Sequence, residues 1–345
     1  MLKLDGKKEE RKKEMKLVRY YTSGAPEVLQ IEDAAIPQPE AGQVLVKVEA
    51  IDVGYVDTQM RNEDSPWGTP TFLVAPGDYV YGTVVQVGPE VGEVQVGERI
   101  LGFAPVGAYA EYALVPLGLR FQPLPEASLS PEEMVTLPVA GETAYHLLAT
   151  SAQLRPGERV LIHAAAGGIG HFAVQLARTM GAGQIIATAS SATKLDVAQT
   201  LGADTLINYT EPGWTEQVMQ ATGGKGVDVI LDVVGGQILV ESLPLLASFG
   251  RLIVSGAASG RIPALPSESV SQLMMGLKRI EGFSSFTLMQ QHPDLIAQGR
   301  QAFRRYVEQG NVRPRIMRTF ALEEVAEAHH LLESRASYGK IVLRP

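Results

Sequence analysis

Residues 160–181 read VLIHAAAGGIGHFAVQLARTMG, and this stretch decides the fold. A short apolar run leads into Gly167, Gly168 and Gly170, and apolar residues then recur at helical spacing as far as Gly181. The pattern predicts a strand, a tight glycine turn and a helix that ends at Gly181. Such a turn places free N–H groups and the positive end of the helix dipole together, which suits a pyrophosphate.

The context of the glycine turn supports this interpretation more than its spelling does. The motif reads A-x-x-G-x-x-G, with Ala164 in place of the first glycine, and that spelling alone also fits a simple packing turn. From Arg159 onward, however, Val/Ile/Leu-rich strands alternate with helices of about ten residues. These βαβ repeats predict a parallel sheet buried on both faces, in a doubly wound Rossmann domain over residues 139–287.

The sequence on either side of this domain has a different pattern of predicted strands and helices. Residues 15–138 contain short β-rich runs separated by Gly and Pro, which is typical of a mostly β domain. Residues 288–345 look unlike the Rossmann repeats, so we expect the chain to return to the first domain and to leave a cleft between the two. Residues 1–14 carry six basic and four acidic side chains, which predicts a flexible charged arm. The fold class is therefore α/β.

Composition excludes several classes of function. The 345 residues include no cysteine, which rules out disulfides, iron–sulfur clusters, thiolate zinc sites and a thiol nucleophile. The net charge of −8 argues against a nucleic-acid partner. No apolar run is long enough for a membrane span, and the N-terminus lacks the apolar core of a secretory signal. We expect a cytoplasmic protein.

The region that follows the second Rossmann strand indicates which dinucleotide is bound. A NAD-binding domain places Asp or Glu about 20 residues beyond its glycine turn, against the ribose 2′-hydroxyl. Here residues 187–194 read ATASSATK, with no acid before Asp196. Ser190 and Lys194 could hold a 2′-phosphate and Tyr209 could close over it, so we expect NADPH to be preferred. Alternatively, Lys194 and the serines only cap a helix and face solvent.

Several motifs together resemble those of one family. The stretches HAAAGGIGHFAVQLA, TASSATK, ILDVVGG, GRLIVSG and ESRASYGKIVL are similar to the zinc-free quinone oxidoreductase branch, which includes ζ-crystallin-like proteins, of the medium-chain dehydrogenase/reductase superfamily. The resemblance covers residues 15–345. It implies a GroES-like catalytic domain, over residues 15–138 and 288–345, that the Rossmann domain interrupts. It also implies NADPH in the cleft and a homodimer.

The resemblance also implies a set of cofactor contacts. They are Thr143, Gly167, Gly168, Ile169, Gly170, Ser190, Lys194, Tyr209, Val234, Ser255 and Gly256. Thr143 fits an ordinary helix start equally well.

Two segments depart from the zinc-dependent members of the superfamily. Those members have a Cys within the segment that here reads VGYVD, residues 53–57, and a His-Glu pair where Gly77, Asp78 and Tyr79 stand. Without these ligands we expect no catalytic metal and no zinc-assisted alcohol oxidation. Gly54 stands where the quinone oxidoreductase branch usually has Asn.

Metal-free chemistry requires a reduced nicotinamide and an electron-poor acceptor. Quinones and α,β-unsaturated carbonyls both accept hydride on carbon and form an oxyanion that can be protonated late. Tyr55 and Tyr79 are the candidate proton donors, because they lie in the segments that lost the zinc ligands; alternatively, both are walls of the pocket. Asp57 and Arg61 are expected to pair with each other.

Two other functions remain open at this point. An enoyl-thioester reductase would need a basic groove for a carrier phosphopantetheine, which Arg300, Arg304 and Arg305 could provide, although a solvated helix face explains them equally well. The chain could also be a non-catalytic NADPH-binding module.

Overall fold

The computed structural model describes residues 14–62, 75–105, 107–121, 124, 129–260 and 264–345. Most of the charged arm, residues 1–13, lies outside the described residues. Glu14, its last residue, already belongs to the first strand.

The first part of the chain is built from short strands. Its elements are β1 (Glu14–Arg19), β2 (Gln30–Ala35), β3 (Gln43–Val53), α1 (Tyr55–Arg61), β4 (Tyr79–Val87), β5 (Arg99–Phe103), β6 (Tyr112–Pro116) and β7 (Arg120–Phe121), with 3₁₀ turns at Pro26–Val28 and Leu117–Leu119. β3 is central because it pairs antiparallel with both β4 and β6. Its apolar residues are buried along nearly its whole length, as expected for a strand covered on both faces.

A helical segment connects the first part of the chain to the parallel sheet. It consists of α2 (Pro131–Val135), a π-helical turn (Leu137–Gly141), α3 (Glu142–His146) and a second π-helical turn (Leu147–Ser151). A capping box starts it, in which Ser130 Oγ accepts from the Glu133 N–H and Glu133 Oε2 accepts from the Ser130 N–H. π-Helical turns are common at functional sites.

The next part is the parallel sheet that the sequence predicts. It contains β8 (Arg159–Ile162), α4 (Gly170–Thr179), β9 (Gln184–Ala189), α5 (Ala192–Thr200), β10 (Thr205–Asn208), α6 (Trp214–Ala221), β11 (Val227–Asp232), α7 (Gly236–Ser242), a 3₁₀ turn (Leu243–Leu245), β12 (Leu246–Val254), α8 (Ser267–Gly276) and β13 (Arg279–Gly282). The strand order is β10-β9-β8-β11-β12-β13 and all neighbours are parallel. This is the doubly wound order, so the prediction of a Rossmann sheet is confirmed.

The end of the chain returns to the sheet that contains β3, β4 and β5 (the first sheet). Its elements are α9 (Ser285–Gln291), α10 (Pro293–Glu308), β14 (Ile316–Ala321), a 3₁₀ turn (Leu322–Glu324), α11 (Val325–Glu333) and β15 (Lys340–Arg344). β15 pairs antiparallel with β3, with Leu343 opposite Ile51. The predicted return is therefore confirmed, while the exact domain boundaries stay predictions. In the part of the chain that the structure describes, no helix has the length and hydrophobicity needed to cross a bilayer.

Candidate active site

The glycine turn links β8 to α4, as the sequence predicts. Ala164 has a φ of +48°, a left-handed conformation that glycine adopts more readily than alanine. The Gly167 N–H donates to the Ala164 carbonyl over 2.8 Å and so closes the turn. The turn therefore forms although alanine stands where the motif usually has its first glycine.

Gly168 and Gly170 have different surroundings. A Cβ on Gly170 would lie 2.2 Å from the Ala164 carbonyl oxygen, so only glycine lets α4 pack this closely on the turn. Among the described residues, the atom nearest to a Cβ on Gly168 would be Lys340 Cδ, at 3.4 Å. A Cβ at position 168 would therefore be in ordinary van der Waals contact with Lys340, whereas one at position 170 would clash. The turn leads from β8 into the N-terminus of α4, the end of a helix that attracts anions. This geometry fits a pyrophosphate.

The last strand reaches the same turn from the other sheet. The Gly339 N–H donates to the Ala166 carbonyl over 2.6 Å. The neighbouring Lys340 is buried, and its Nζ forms an ion pair with Asp52 Oδ1 at 2.8 Å. Burial raises the pKa of Asp52, and the positive charge of Lys340 partly offsets that rise. The glycine turn is therefore fixed to β15, and through it to the end of β3.

Ser190, Lys194 and Tyr209 lie together at the carboxyl ends of β9 and β10. Lys194 Nζ is 3.4 Å from Ser190 Oγ, and the Tyr209 N–H donates to the carbonyl of Ala189 over 3.2 Å. Burial raises the pKa of the Tyr209 phenol, while its hydrogen bond with Ser190 lowers it. Ser191 is the N-cap of α5, but its side chain makes no capping bond. The structure thus brings the three predicted residues together, and their contact with a 2′-phosphate stays a prediction.

Arg335 is a fourth residue at this place, and the sequence pattern did not indicate it. Lys194 Nζ donates to its carbonyl over 2.5 Å, and its guanidinium donates to the carbonyl of Ala258 over 3.3 Å. Burial lowers the pKa of Lys194, and the charge of Arg335 lowers it further. Because 141 residues separate the two, no local motif could join them. The only signal was the basic residue within ESRASYGKIVL.

Val234, Ser255 and Gly256 lie at the carboxyl ends of β11 and β12. Asp232 Oδ1 accepts the N–H of Val234 over 2.7 Å, and the Asp232 carbonyl accepts the N–H of Ser255 over 2.9 Å. A Cβ on Gly256 would lie 2.7 Å from the Val233 carbonyl oxygen. Only glycine therefore fits at position 256, and the two loops are held side by side at the edge where doubly wound sheets bind their ligands.

The catalytic domain contacts the loop that follows β12 through α1. The Tyr55 hydroxyl donates to the carbonyl of Ala258 over 3.1 Å, and Gln59 Nε2 donates to the carbonyl of Ala257 over 3.0 Å. Tyr55 is thus placed beside the predicted cofactor loop, while its role as a proton donor stays a prediction.

Thr143 and Ile169 lie on helical elements on either side of β8 in the sequence. Thr143 is buried in α3, between the two π-helical turns, and Ile169 is the N-cap residue of α4. The hydrogen bonds of the described residues do not connect the Thr143 side chain with the loop after β12. Its contact with a cofactor stays a prediction.

Tyr79 is surrounded by aromatic rings. Its ring lies edge-on to Phe103 and Phe121, with centroid distances of 5.4 and 5.5 Å. Burial, and next the charge of Glu142, hold the pKa of Tyr79 well above its usual value. These surroundings favour a wall of the pocket over a proton donor.

The expected pairing of Asp57 with Arg61 is wrong. Asp57 Oδ2 instead accepts the Gly54 N–H over 2.8 Å and the Tyr109 hydroxyl over 2.9 Å. Arg61 is buried and pairs with Glu333 of α11. The carboxylate thus caps α1 and the arginine joins α1 to α11, because tertiary partners outcompete the neighbour on the same helix.

Gly54, Asp78 and Tyr79 stand in the segments where zinc-dependent relatives have metal ligands. Gly54 has no side chain to offer, and the chain has no cysteine. Within the described ranges, no three His, Asp or Glu side chains are grouped to hold a metal ion. The expectation of metal-free chemistry rests on these residue identities and stays a prediction.

Two family models match the chain. Residues 40–126 match the alcohol dehydrogenase GroES-like domain, and residues 168–298 match the zinc-binding dehydrogenase domain. They fall on the first sheet and on the Rossmann sheet, respectively.

Relatives and a solved structure match nearly the whole chain. A 2-haloacrylate reductase from Burkholderia sp is 34% identical over 330 residues, covering 94% of this chain and 97% of the relative. The quinone oxidoreductase of Rattus norvegicus is 33% identical over 336 residues, covering 95% and 97%. The structure of Escherichia coli quinone oxidoreductase complexed with NADPH is 27% identical, covers 96% and 100%, and has a TM-score of 0.86. The chain therefore belongs to the quinone oxidoreductase family of the medium-chain dehydrogenase/reductase superfamily.

Proposed function

We propose that the protein is an NADPH-dependent reductase that transfers hydride, without a metal, to a quinone or an α,β-unsaturated carbonyl. The observation that carries this proposal is the cluster of Ser190, Lys194, Tyr209 and Arg335 beside the glycine turn. The cluster offers two cations and two hydroxyls at the place where a dinucleotide carries its 2′ substituent. The names of the relatives support the same class of reaction.

The residues at the turn fit the remainder of the dinucleotide. Gly167, Gly168, Ile169 and Gly170 would hold the pyrophosphate at the N-terminus of α4, through the N–H groups that the turn itself does not use; the Gly167 N–H already donates to the carbonyl of Ala164. Val234, Ser255 and Gly256 would line the far end of the groove, at the carboxyl ends of β11 and β12, and Thr143 would complete the site from α3.

Bound NADPH supplies the hydride, and the protein supplies orientation and charge stabilisation. Tyr55 is the better proton donor of the two candidates, because its hydroxyl lies on the loop of Ser255 and Gly256. The Tyr55 hydroxyl donates its hydrogen bond to the carbonyl of Ala258. During the reaction it would donate instead to the oxyanion that forms on the acceptor. Tyr79, enclosed by Phe rings, would shape the pocket instead.

A homodimer is the assembly that we infer. Among the described strands, β13 is the edge of the Rossmann sheet and pairs only with β12. Large apolar side chains beside it are exposed, among them Met274, Met275 and Phe286, and Met275 is 86% exposed. An unpaired edge strand flanked by exposed apolar side chains is a surface to which a second copy of the chain can bind. Light scattering of the wild type and of Met275→Glu measures this: the wild type should be a dimer and the variant should shift towards monomer.

The test of the proposed function is a panel of acceptors with both coenzymes. Oxidation of NADPH and NADH is followed with 1,4-benzoquinone, an alkenal and crotonyl-CoA. We expect turnover with the quinone or the alkenal, and a higher kcat/KM with NADPH than with NADH. Crotonyl-CoA as the best acceptor would instead identify an enoyl-thioester reductase. Cofactor binding without turnover of any acceptor would identify a binding module and overturn the proposal.

A further inference from the structure

A cavity of about 310 Å³ lies between α10, the start of α3 and strands β5 and β7. Its walls are largely apolar and include Leu101, Phe121, Leu137, Phe303 and Val307. The volume is near the lower end of the range for small-molecule sites. The cavity can therefore hold a small molecule with an apolar body.

In the described part of the chain, three guanidinium groups line the cavity, and each of them pairs with a glutamate. Its described lining contains the guanidinium groups of Arg120, Arg300 and Arg304 but the carboxyl group of only one residue, Glu142. Arg120 and Arg304 also pair with glutamates that lie outside this lining, at 2.5 and 2.7 Å. Arg305, the next residue of α10, is exposed and does not line the cavity. The three ion pairs balance these charges, so a ligand can be recognised by the remaining N–H donors of Arg300 rather than by a net positive charge.

Arg300 is held in a fixed position on the wall. Its guanidinium lies over the ring of Phe121, 3.7 Å from the centroid, and its Nε donates to Glu142 Oε1 over 2.8 Å. A longer contact of 3.5 Å joins Nη2 to Oε2. These bonds use two of the five N–H donors of a guanidinium, and the side chain is 33% exposed. Arg300 thus keeps donors for a second carboxylate, in the planar geometry that arginine recognises well.

The Glu142–Arg300 pair joins a buried carboxyl group to a partly exposed guanidinium. Glu142 is largely buried, which raises its pKa to about 7 in spite of the charge of Arg300. A buried ion pair is often no more stabilising than apolar residues of similar volume. The pair holds Arg300 at the wall of the cavity, where its side chain is still partly exposed.

The cavity adjoins the place where reduction is proposed to occur. Glu142 directly precedes Thr143, one of the predicted cofactor contacts. The ring of Phe121 contacts the ring of Tyr79, with a centroid distance of 5.5 Å. Phe121 therefore joins Arg300 to Tyr79, the residue proposed to shape the acceptor pocket.

From these contacts we propose that the cavity receives the apolar body of the acceptor and that Arg300 selects acceptors with a carboxylate next to the reducible double bond. Arg300 is thus a specificity-determining residue. This inference rests on the proposed function, because it names the substrate class of the same site.

The test uses two acceptors that differ only in charge, 3-benzoylacrylate and its methyl ester. The wild type should reduce the carboxylate with the higher kcat/KM. Arg300→Gln should lower kcat/KM for the carboxylate by about tenfold to a hundredfold, since a hydrogen bond to a charged group is lost. The ester should change less than about threefold, because the apolar walls are intact. Arg305→Gln is the matched control and should change neither value.

Binding of the saturated analogue 3-benzoylpropionate, measured by calorimetry in the presence of NADP⁺, separates the two levels of the proposal. Binding that is lost in Arg300→Gln but kept in Arg305→Gln supports the anionic site, even if no acceptor is turned over and the proposed function fails. Equal losses for acid and ester in Arg300→Gln would mean a structural role and overturn the inference. Unchanged kinetics and binding in Arg300→Gln would overturn it as well.

Discussion

Replacing Lys194 with Gln should weaken the binding of NADPH and leave that of NADH almost unchanged. Lys194 Nζ lies 3.4 Å from Ser190 Oγ, at the end of β9 where the 2′-phosphate is proposed to bind. A hydrogen bond to a charged group contributes about 1.5–3 kcal/mol, which corresponds to roughly 12-fold to 160-fold in Kd. Because Lys194 is only half-buried, solvent screening should bring the loss to about tenfold to thirtyfold.

Arg335→Gln provides an independent measurement at the same place. It removes the guanidinium but keeps the main-chain carbonyl that accepts from Lys194 Nζ. We expect a similar loss of NADPH affinity. In the double variant of Lys194 and Arg335, the loss of binding free energy should differ from the sum of the two single losses, because the two residues are in contact. Dissociation constants for NADPH and NADH are measured by quenching of tryptophan fluorescence. Lys225→Gln, an exposed lysine at the opposite end of the sheet, is the matched control.

Two results would refute this reasoning about the 2′-phosphate. Equal losses for NADPH and NADH would mean that Lys194 supports the fold of the groove and does not read the 2′ substituent. An unchanged Kd for NADPH in both single variants would place the phosphate elsewhere.

Three further predictions concern the turn, the proton donor and acid stability. Gly170→Ala should lower the free energy of unfolding in urea by about 1–3 kcal/mol, because its Cβ would lie 2.2 Å from a carbonyl oxygen. Gly168→Ala should keep the Tm of the wild type and lose NADPH affinity. Equal Tm values for the two variants would contradict this prediction. Tyr55→Phe should lower kcat by about a hundredfold or more and Tyr79→Phe by less than about tenfold, in single-turnover kinetics; the reverse order would identify Tyr79 as the donor. Burial lowers the pKa of His163 to about 3, so only the unfolded state takes up its proton as the pH falls below about 6.5. The free energy of unfolding should then drop by up to about 1.4 kcal/mol per pH unit from this group, and urea curves of His163→Gln should depend less steeply on pH; parallel curves would contradict the assignment.

The sequence predicted most of the Rossmann sheet because its signals are local. Each strand is a short run of Val, Ile and Leu, and each turn carries glycine, so periodicity and connection rules were enough to give a parallel sheet. Ser190 and Lys194 were found for the same reason, because they lie a fixed distance beyond the glycine turn. The return of β15 to the first sheet was predicted from the change in texture after residue 287.

Residues that act through distant partners could not be found in this way. Arg335 lies 141 residues from Lys194, and Arg300 lies 158 residues from Glu142, so no spacing rule links either pair. Asp57 was assigned to a nearby arginine on α1, although its partner is Tyr109, 52 residues away in the chain. Helical spacing predicts which residues are neighbours on one helix. It does not predict whether a residue from another element will bind the side chain instead.

The pairing of β15 with β3 has a consequence for the order of folding during synthesis. Residues 51–53 of β3 pair with residues 341–343 of β15. The first sheet therefore stays incomplete until the ribosome has translated residues 341–343. The Rossmann sheet lies between these two segments and is made only from strands of residues 159–282, so it can fold while the chain is still attached to the ribosome. Until β15 emerges, residues 51–53 of β3 remain unpaired on the side that β15 will cover, a strand end of the kind that can pair wrongly with another chain.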